Sequence, residues 1–405
     1  NQVKTGGHSA IMSFFKVLKR SKKNRARLGI IETAHGLIHT PAFIPVGTQA
    51  TVKGLTVDQL KAIGAESLLC NTYHLYLRPG DQNIKKMGGL HGFMNWDRPI
   101  WTDSGGFQAF SLGAGIQHGV GKIASIFPKD REGDLDSPNG KKNFVKITEE
   151  GVEFQSHLDG SKHLLSPEKS MKIQENLGAD IIFAFDECTS PLHDKKYTQK
   201  SMERTHRWAA RCLAEVKLKS KNGKEKTNQQ ALFGIVQGGA YKDLRSQSAK
   251  FIGSLDFPGF GIGGSLGKSK KDMYNVLDWT IPLLPEDKPK HLLGIGSPED
   301  IIEAVKRGID TFDCVAPTRL GRNGSALLTT GGSGAGGATL NLKSGRYLQD
   351  KSPIDKKCQC YTCHNYTRSY LTHLFKAHEM LGPILATIHN LHFMETLMKQ
   401  IRAKI

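Results

Sequence analysis

The stretch Ile100-Trp-Thr-Asp-Ser-Gly-Gly-Phe-Gln108 contains the pattern that decides the fold. It joins a short apolar run to a carboxylate and two glycines, and such a run between turn residues is typical of a buried strand. The stretch Thr311-Phe-Asp-Cys-Val-Ala-Pro-Thr-Arg319 repeats the pattern. Asp103 and Asp313 therefore stand at predicted strand ends. There, a carboxylate either caps the following turn or lies open to a ligand.

Eight apolar runs of this kind occur along the chain, at residues 42–46, 67–70, 99–102, 181–185, 232–236, 259–262, 291–295 and 311–312. Amphipathic stretches typical of helices separate most of them, at residues 56–63, 167–177, 198–216, 241–252, 271–284 and 298–307. Eight strands alternating with helices predict an α/β fold of the (β/α)8 TIM-barrel type. A doubly wound open sheet is the alternative, but no dinucleotide-type glycine fingerprint follows the first strand.

The composition is that of a globular protein with an excess of basic residues. Of the 405 residues, 56 are Lys or Arg and 38 are Asp or Glu, which gives a formal charge of +18. Such a charge favours a polyanionic partner. The apolar runs are shorter than the roughly twenty residues that span a bilayer. Residues 10–16 are too short and poorly flanked for a signal peptide. We therefore expect a cytoplasmic protein with no membrane partner.

Polar residues and glycines directly follow the predicted strands, namely Asn71, Asp103, Asp186, Glu187, Gln237, Gly238, Gly239, Gly263, Gly264, Gly296 and Asp313. In a barrel they would gather at one rim, where active sites of this fold lie. Amides, carboxylates and bare backbone suit a planar ligand rich in donors and acceptors, such as a purine-like base, and Phe107 can stack on it. Two carboxylates can divide nucleophile and acid/base roles at an acetal-like carbon, which indicates glycosyl chemistry.

Basic residues near Asp313 are candidates for binding phosphates. Arg319 and Arg322 follow it closely, and planar guanidinium groups can hold phosphates on either side of a reacting sugar. Further basic residues continue the band as far as the cysteine cluster, namely Lys343, Arg346, Lys351, Lys356 and Lys357. The basic stretches at residues 16–27 and 217–226 are expected to be solvated loops instead.

Three of the seven cysteines, Cys358, Cys360 and Cys363, lie within six residues. The odd total and the clustering favour a reduced compartment and a metal site over disulfide bonds. Three thiolates and one imidazole would complete a tetrahedral Zn²⁺ site, and a closed site of this kind is normally structural. Spacing alone does not choose the imidazole among His364, His373, His378, His389 and His392.

Together these motifs resemble the tRNA-guanine transglycosylase (queuine tRNA-ribosyltransferase) family, of bacterial type. The matching motifs include Asn71-Thr-Tyr-His-Leu75, Thr102-Asp-Ser-Gly-Gly-Phe-Gln108, Ala184-Phe-Asp-Glu-Cys188, Gly234-Ile-Val-Gln-Gly238 and Phe312-Asp-Cys-Val315. The resemblance implies a TIM barrel with a small N-terminal antiparallel sheet and a C-terminal zinc-binding subdomain. It places the N-terminal segment and sheet at residues 1–40 and the catalytic barrel at 41–405, with the zinc-binding subdomain and closing helices at 315–405.

The resemblance also implies an activity, a set of residue roles and partners. The family exchanges the wobble guanine of tRNAs with a G-U-N anticodon, the Asn, Asp, His and Tyr acceptors, for a 7-deazaguanine in queuosine biosynthesis. Asp313 would be the nucleophile at ribose C1′ and Asp103 the general acid/base. The implied base-binding residues are Asp103, Phe107, Asp186, Cys188, Gln237, Gly263, Gly264 and Leu293. His389 would be the fourth zinc ligand, and a homodimer is implied.

The stretch at residues 263–269 bears on which base enters. Family members that take the aminomethyl base preQ1 read Gly-Gly-Leu-Ala-Val-Gly-Glu where this chain reads Gly263-Gly-Ser-Leu-Gly-Lys-Ser269. Loss of the Glu would leave a buried ammonium without a partner, which is unfavourable. Gly267 in place of Val resembles the enzymes that accept the larger base queuine, whereas Cys188 matches the preQ1 type. We expect preQ1, with queuine as the alternative.

Two other functions share some of these features. A retaining glycosidase on a TIM barrel also uses two carboxylates, and a non-catalytic RNA-binding subunit could have the same basic surface. The arginines and the cysteine cluster favour a nucleic acid, and the presence of both Asp103 and Asp313 favours catalysis.

Residues 113–146 occupy a position where the family usually has a shorter connection. They are predicted to form a mobile loop near the rim, acting as a lid or an RNA contact.

Overall fold

The computed structural model describes residues 14–110, 145–221, 230–329 and 338–405. Its first element is a three-stranded antiparallel sheet made of β1 (Phe15–Arg20), β2 (Arg27–Thr33) and β3 (Gly36–Thr40). The sheet covers the amino end of the barrel that follows. Phe14 meets Phe233 of the barrel interior edge to face at 6.0 Å. The carboxyl end of the barrel is therefore the end available for a site.

Eight parallel strands form the barrel, namely β4 (Ala42–Pro45), β5 (Leu68–Cys70), β6 (Ile100–Thr102), β10 (Ile181–Phe183), β11 (Ala231–Val236), β12 (Gly259–Ile262), β13 (Lys290–Leu292) and β14 (Thr311–Cys314). Their order is β4-β14-β13-β12-β11-β10-β6-β5, and a parallel bridge between Val46 and Leu69 joins the two ends. The barrel prediction is confirmed and the open sheet is not found. Between β6 and β10, a separate antiparallel sheet consists of β7 (Val145–Ile147), β8 (Val152–Gln155) and β9 (Lys162–Leu165).

The helices lie between the barrel strands and at the C-terminus. They are α1 (Val57–Ile63), α2 (Thr72–Leu77), α3 (Asp81–Lys86), α4 (Gly89–Met94), α5 (Pro167–Leu177), α6 (Lys195–Lys221), α7 (Lys242–Ser254), α8 (Lys270–Thr280), α9 (Pro298–Lys306), α10 (Ala316–Arg322), α11 (Tyr361–Asn365), α12 (Arg368–Lys376) and α13 (Leu381–Lys404). Thr56, Ser166 and Ser297 begin α1, α5 and α9 by accepting a backbone N–H, as N-cap side chains do.

Large apolar side chains fill the barrel interior. Trp101, Phe183 and Phe233 are fully buried there and pack against one another at centroid distances of 5.3 to 5.9 Å. Gly259 makes room for this packing, since a Cβ at this position would lie 2.3 Å from the Phe233 ring. The interior is thus a packed core, and the chemistry must take place at the rim above it.

The expectation of a solvated loop at residues 16–27 is confirmed for the exposed connection at 22–25 but is wrong for residues 16–20 and Arg27, which lie in strands. Residues 16–27 belong to β1, β2 and their connection, and the Arg27 side chain is only 4% exposed. Its guanidinium bonds both carboxylate oxygens of Asp310, at 2.8 and 2.6 Å. A buried guanidinium needs such a partner, because an unpaired charge in the interior is strongly unfavourable. The other basic stretch is residues 217–226. Its residues 217–221 end α6, and residues 222–226 lie outside the described residues.

The C-terminal region packs around the long helix α13. A hairpin of β15 (Ser325–Leu327) and β16 (Thr339–Asn341) follows α10. Asn390 of α13 accepts a hydrogen bond from the Leu327 amide at 2.8 Å and donates to the carbonyls of Pro317 and Ser325. One side chain thereby joins α13 to both α10 and the hairpin. In the part of the chain that the structure describes, no helix is long and apolar enough to cross a membrane.

Candidate active site

Asp103 lies at the rim directly after β6, and its carboxylate is held by α2. Oδ1 accepts the backbone amides of Thr72 at 2.9 Å and Gly105 at 3.2 Å. Oδ2 accepts a hydrogen bond from the side-chain amide of Asn71. Asn71 is also the N-cap of α2, since its Oδ1 accepts the His74 amide at 3.1 Å. The carboxylate therefore has a defined orientation.

The environment of Asp103 favours its protonated form. Its carboxyl group lies deep among protein atoms although part of the residue is open to solvent, and this desolvation raises its pKa to about 7. The amides of Thr72 and Gly105 oppose the rise, and the negative charges of Asp313 and Asp186 add to it. A carboxyl group with a pKa near neutrality can both donate and accept a proton, as a general acid/base must.

Asp313 lies at the same rim as Asp103, near the carboxyl end of β14. Its Oδ1 accepts the backbone amide of Gly294 at 3.0 Å and contacts Nε2 of His291 at 3.0 Å. The side chain is 14% exposed, whereas His291 is fully buried. Both contacts come from the neighbouring strand β13 and the turn after it. The carboxylate that was predicted at the end of a strand is thus held from the side as well.

A polar pocket lies after β10, β11 and β12. Asp186 accepts hydrogen bonds from Ser104 Oγ at 3.1 Å and Gln237 Nε2 at 2.6 Å. Gln237 is 1% exposed, and its Oε1 is buried with no hydrogen-bond partner among the described residues. A Cβ at Gly264 would lie 1.9 Å from this oxygen, so only glycine permits the approach. A buried acceptor of this kind suits a ligand with N–H donors.

Arg245 of α7 supports this pocket from behind. It is fully buried, and its guanidinium donates to the carbonyls of Val236, Gly239, Gly263 and Ser265 at 2.6 to 2.9 Å. Burial lowers its pKa to about 9. One of the four carbonyls, that of Val236, ends β11, and the other three belong to the turns after β11 and β12. One side chain thus holds both turns in position.

Three further predicted residues lie at the same rim. Phe107 is 40% exposed, and Cys188 and Leu293 are partly buried. A terminal methyl group of Leu293 lies 3.1 Å from the position of a Cβ at Gly261. Phe107, Cys188 and Leu293 follow β6, β10 and β13 respectively, so the structure brings them to the end of the barrel that carries both aspartates.

Gly267 and Ser269 serve the start of α8. Ser269 is its N-cap and forms a reciprocal capping box with Asp272. Gly267 has a φ of +101°, and a Cβ there would lie 2.3 Å from the Asp272 Cβ. A side chain at Gly267 would therefore meet the cap of α8 in this backbone, and the likeness of Gly267 to the queuine-accepting enzymes stays a prediction.

Arg319 and Arg322 lie on α10, directly beyond Asp313. Arg319 is exposed and Arg322 half-buried, and neither forms an ion pair with another described residue. Desolvation lowers the pKa of Arg322, and the positive charge of Arg319 acts in the same direction. The other basic residues of the predicted band are all exposed, namely Lys343, Arg346, Lys351, Lys356 and Lys357. An anion bound here would relieve the repulsion between the two arginines.

The three clustered cysteines meet His389 of α13. The Sγ atoms of Cys358, Cys360 and Cys363 lie 3.6, 3.6 and 3.3 Å from its Nδ1. Bonds of about 2.3 Å to sulfur and about 2.0 Å to nitrogen place such ligands about 3.5 Å apart in a tetrahedral zinc site. His389 Nε2 lies 2.6 Å from the Leu327 carbonyl. This contact leaves Nδ1 as the metal-binding atom, so the four residues fit zinc.

Comparison with known proteins identifies the family. The sequence pattern of the family described as "Queuine tRNA-ribosyltransferase" matches residues 21–128 and 133–405. The chain is 50% identical over 392 residues to the queuine tRNA-ribosyltransferase of Caldanaerobacter subterraneus subsp. tengcongensis, and 51% identical over 392 residues to that of Acetivibrio thermocellus. Each alignment covers 96% of this chain and 93% of the relative. The chain belongs to the queuine tRNA-ribosyltransferase family.

Membership of the queuine tRNA-ribosyltransferase family makes the chain an enzyme of the pentosyltransferase class of glycosyltransferases. The family resemblance and the enzyme class are thus confirmed, and they favour a transferase over a glycosidase or a non-catalytic subunit. The family pattern leaves out only residues 129–132 of the expected insertion at 113–146. Residues 113–144 lie outside the described residues, so the lid or RNA-contact hypothesis stays a prediction.

Two supporting residues of this family member were missed by reasoning from sequence. The sequence pattern places His291 in an apolar run and Arg245 in an amphipathic stretch. A histidine in an otherwise apolar run was a signal that its strand has a polar neighbour in the barrel. Arg245 gave no comparable signal, because an arginine on an amphipathic helix is usually exposed.

Proposed function

We propose that this enzyme exchanges the wobble guanine of G-U-N anticodon tRNAs for a 7-deazaguanine by double displacement. The observation that supports this proposal is a pair of carboxylates that lie at one rim in different environments. Asp103 has a pKa raised to about 7, whereas Asp313 accepts a backbone amide and contacts His291. Carboxyl groups in such different environments can take the acid/base and nucleophile roles separately.

In the first half-reaction, a carboxylate oxygen of Asp313 attacks ribose C1′. The C1′–N9 bond breaks, and its electron pair leaves with guanine while Asp103 in its acid form donates a proton to the departing base. In the second half-reaction, Asp103 as carboxylate removes a proton from the incoming base. That base attacks C1′ and displaces Asp313. The glycosyl ester preserves the sugar in an activated form, so no other energy source is required.

The base is proposed to lie between Asp103 and the turns after β10, β11 and β12. Guanine and its 7-deaza analogues present N–H donors on one edge. Asp186 and Gln237 Oε1, which has no hydrogen-bond partner in the described part of the chain, supply acceptors for that edge. The backbone of Gly263 and Gly264 approaches closely because neither carries a side chain. Phe107 and Leu293 would cover the faces of the ring, with Cys188 nearby.

preQ1 remains the favoured incoming base and queuine the alternative. Gly267 and Ser269 differ from the preQ1-type sequence, but both residues serve the start of α8, which accounts for them without a larger base. Cys188, which matches the preQ1 type, lies at the rim after β10. These two observations support preQ1.

The tRNA is proposed to approach across Arg319, Arg322 and the exposed basic band, with the G-U-N acceptors for Asn, Asp, His and Tyr as substrates. One structural zinc ion per chain would be held by Cys358, Cys360, Cys363 and His389, and would stabilise the region that presents this band. We also propose a cytoplasmic location, since tRNA is found there and thiolates persist in a reduced compartment.

A homodimer is proposed as the assembly. Exposed aromatic side chains on the zinc-binding region support a contact surface. Tyr361 is 57% and Tyr370 is 39% exposed, and the rings of Tyr366 and Tyr370 stack at 5.5 Å. Contiguous exposed aromatic area is typical of protein interfaces.

Covalent trapping tests the proposed chemistry. An anticodon stem-loop incubated with the wild-type enzyme and quenched in denaturant should leave an enzyme–RNA adduct that retards migration on a gel. Asp313→Asn should fold and bind the stem-loop but form no adduct, because an amide cannot form the glycosyl ester. An adduct at the wild-type level in this variant would show that another residue is the nucleophile.

A further inference from the structure

His291 is a fully buried polar side chain within the aromatic interior of the barrel. It lies on β13 and stacks on Trp101 with a centroid distance of 5.1 Å and an interplanar angle of 30°. The Phe183 ring lies 5.2 Å away on a tilted plane. This packing fixes the plane of the imidazole. Its ring nitrogens can therefore meet only the groups that lie in that plane.

Both ring nitrogens face groups on β14. The strand register pairs His291 with Thr311, and Nδ1 lies 2.9 Å from Thr311 Oγ1. Nε2 lies 3.0 Å from Asp313 Oδ1. A carboxylate oxygen can only accept from a ring nitrogen, so Nε2 carries a proton. In the neutral ring Nδ1 then accepts from the Thr311 hydroxyl, which stabilises this tautomer.

We infer that His291 is a positioning residue for Asp313, with Thr311 keeping the N–H of Nε2 directed at the carboxylate. The inference rests on the proposed function, in which Asp313 is the nucleophile. Oδ1 of Asp313 accepts the Nε2–H of His291, which lies in the barrel interior, and the amide of Gly294, which lies in the turn after β13. Two donors at one oxygen restrict rotation of the carboxylate and stabilise its charged form before it attacks.

Replacing His291 would remove one of these two donors and leave the Gly294 amide in contact with Oδ1 of Asp313. A hydrogen bond to a charged group, together with the orientation it provides, corresponds to a rate loss of about 10- to 100-fold. The loss should appear in the step in which Asp313 forms its bond. Binding of the RNA should not change, because His291 lies in the barrel interior and not on the basic face of α10.

Single-turnover adduct formation at saturating stem-loop RNA tests the inference. His291→Phe keeps a planar ring against Trp101 but removes the donor, whereas His291→Gln keeps an N–H near the position of Nε2. We expect His291→Phe to form adduct about 10- to 100-fold more slowly, with an RNA dissociation constant within about twofold of wild type. His291→Gln should recover most of the rate.

His91→Phe is the matched control. His91 Nε2 lies 3.2 Å from Asp180 Oδ2, where Asp180 precedes β10 at the amino end of the barrel. Replacing His91 therefore removes a histidine–aspartate contact far from the rim. It should change the melting temperature without changing the rate of adduct formation. A rate loss that follows the melting temperature in all variants would reduce His291 to a structural role and overturn the inference.

Thr311→Val provides a second route if His291→Phe does not fold. Valine is close in shape to threonine but lacks the hydroxyl, so the proton is no longer directed to Nε2, and adduct formation should be slower by about threefold or more. A wild-type rate in folded His291→Phe or in Thr311→Val would overturn the inference. Absence of any adduct with the wild-type enzyme would instead contradict the proposed function itself.

Discussion

Asp103 should give the two half-reactions opposite responses to pH. Desolvation raises its pKa to about 7, so the acid form dominates at pH 6 and the carboxylate at pH 8. Departure of guanine needs the acid form, because the leaving base receives its proton. Entry of the new base needs the carboxylate, because the new base must lose a proton.

The size of each response follows from a single titration. Between pH 6 and pH 8, a group with a pKa near 7 changes from about 90% to about 10% protonated. We therefore expect the rate of adduct formation to fall about tenfold over this interval. The rate at which a free base releases the RNA from the adduct should rise by about the same factor.

Quenched-flow experiments can measure each half-reaction separately. Excess enzyme and labelled stem-loop report adduct formation, and isolated adduct mixed with excess base reports its release. Asp103→Asn should lose most of both rates, and the remainder should not change near pH 7. If both rates rise with pH, or if Asp103→Asn retains a break near pH 7, Asp103 is not the acid/base.

Three further predictions concern the metal, the RNA and the base. Purified enzyme should contain about one zinc ion per chain, and Cys360→Ser should lower zinc content and melting temperature together, because metal binding is part of the folding free energy; zinc-free protein of wild-type stability would contradict this. Arg319→Gln and Arg322→Gln should each weaken stem-loop binding and reduce the slope of log Kd against log salt by about 0.7 to 1. An unchanged slope would remove that residue from the phosphate contacts. When preQ1 and queuine compete to displace labelled guanine, preQ1 should be used preferentially, and a clear preference for queuine would reverse the base assignment.

The sequence by itself determined the barrel and the two aspartates at its rim. Short apolar runs such as residues 181–185, alternating with amphipathic stretches, already require parallel strands covered by helices, because each run must be buried on both faces. Once the barrel is known, Asp103 and Asp313 must share one rim, since the carboxyl ends of parallel strands point the same way. The thiols of residues 358–363 likewise indicated metal because they are neighbours in the chain.

Only the tertiary structure decided which residues support these groups. His291 contacts Asp313 because the register of β13 and β14 sets it beside Thr311. Arg245 reaches four carbonyls because α7 packs behind two separate turns. Arg27 pairs with Asp310 across 283 residues of chain. In each case the contact depends on the direction of side chains from segments far apart in sequence, and local periodicity contains no information about that direction.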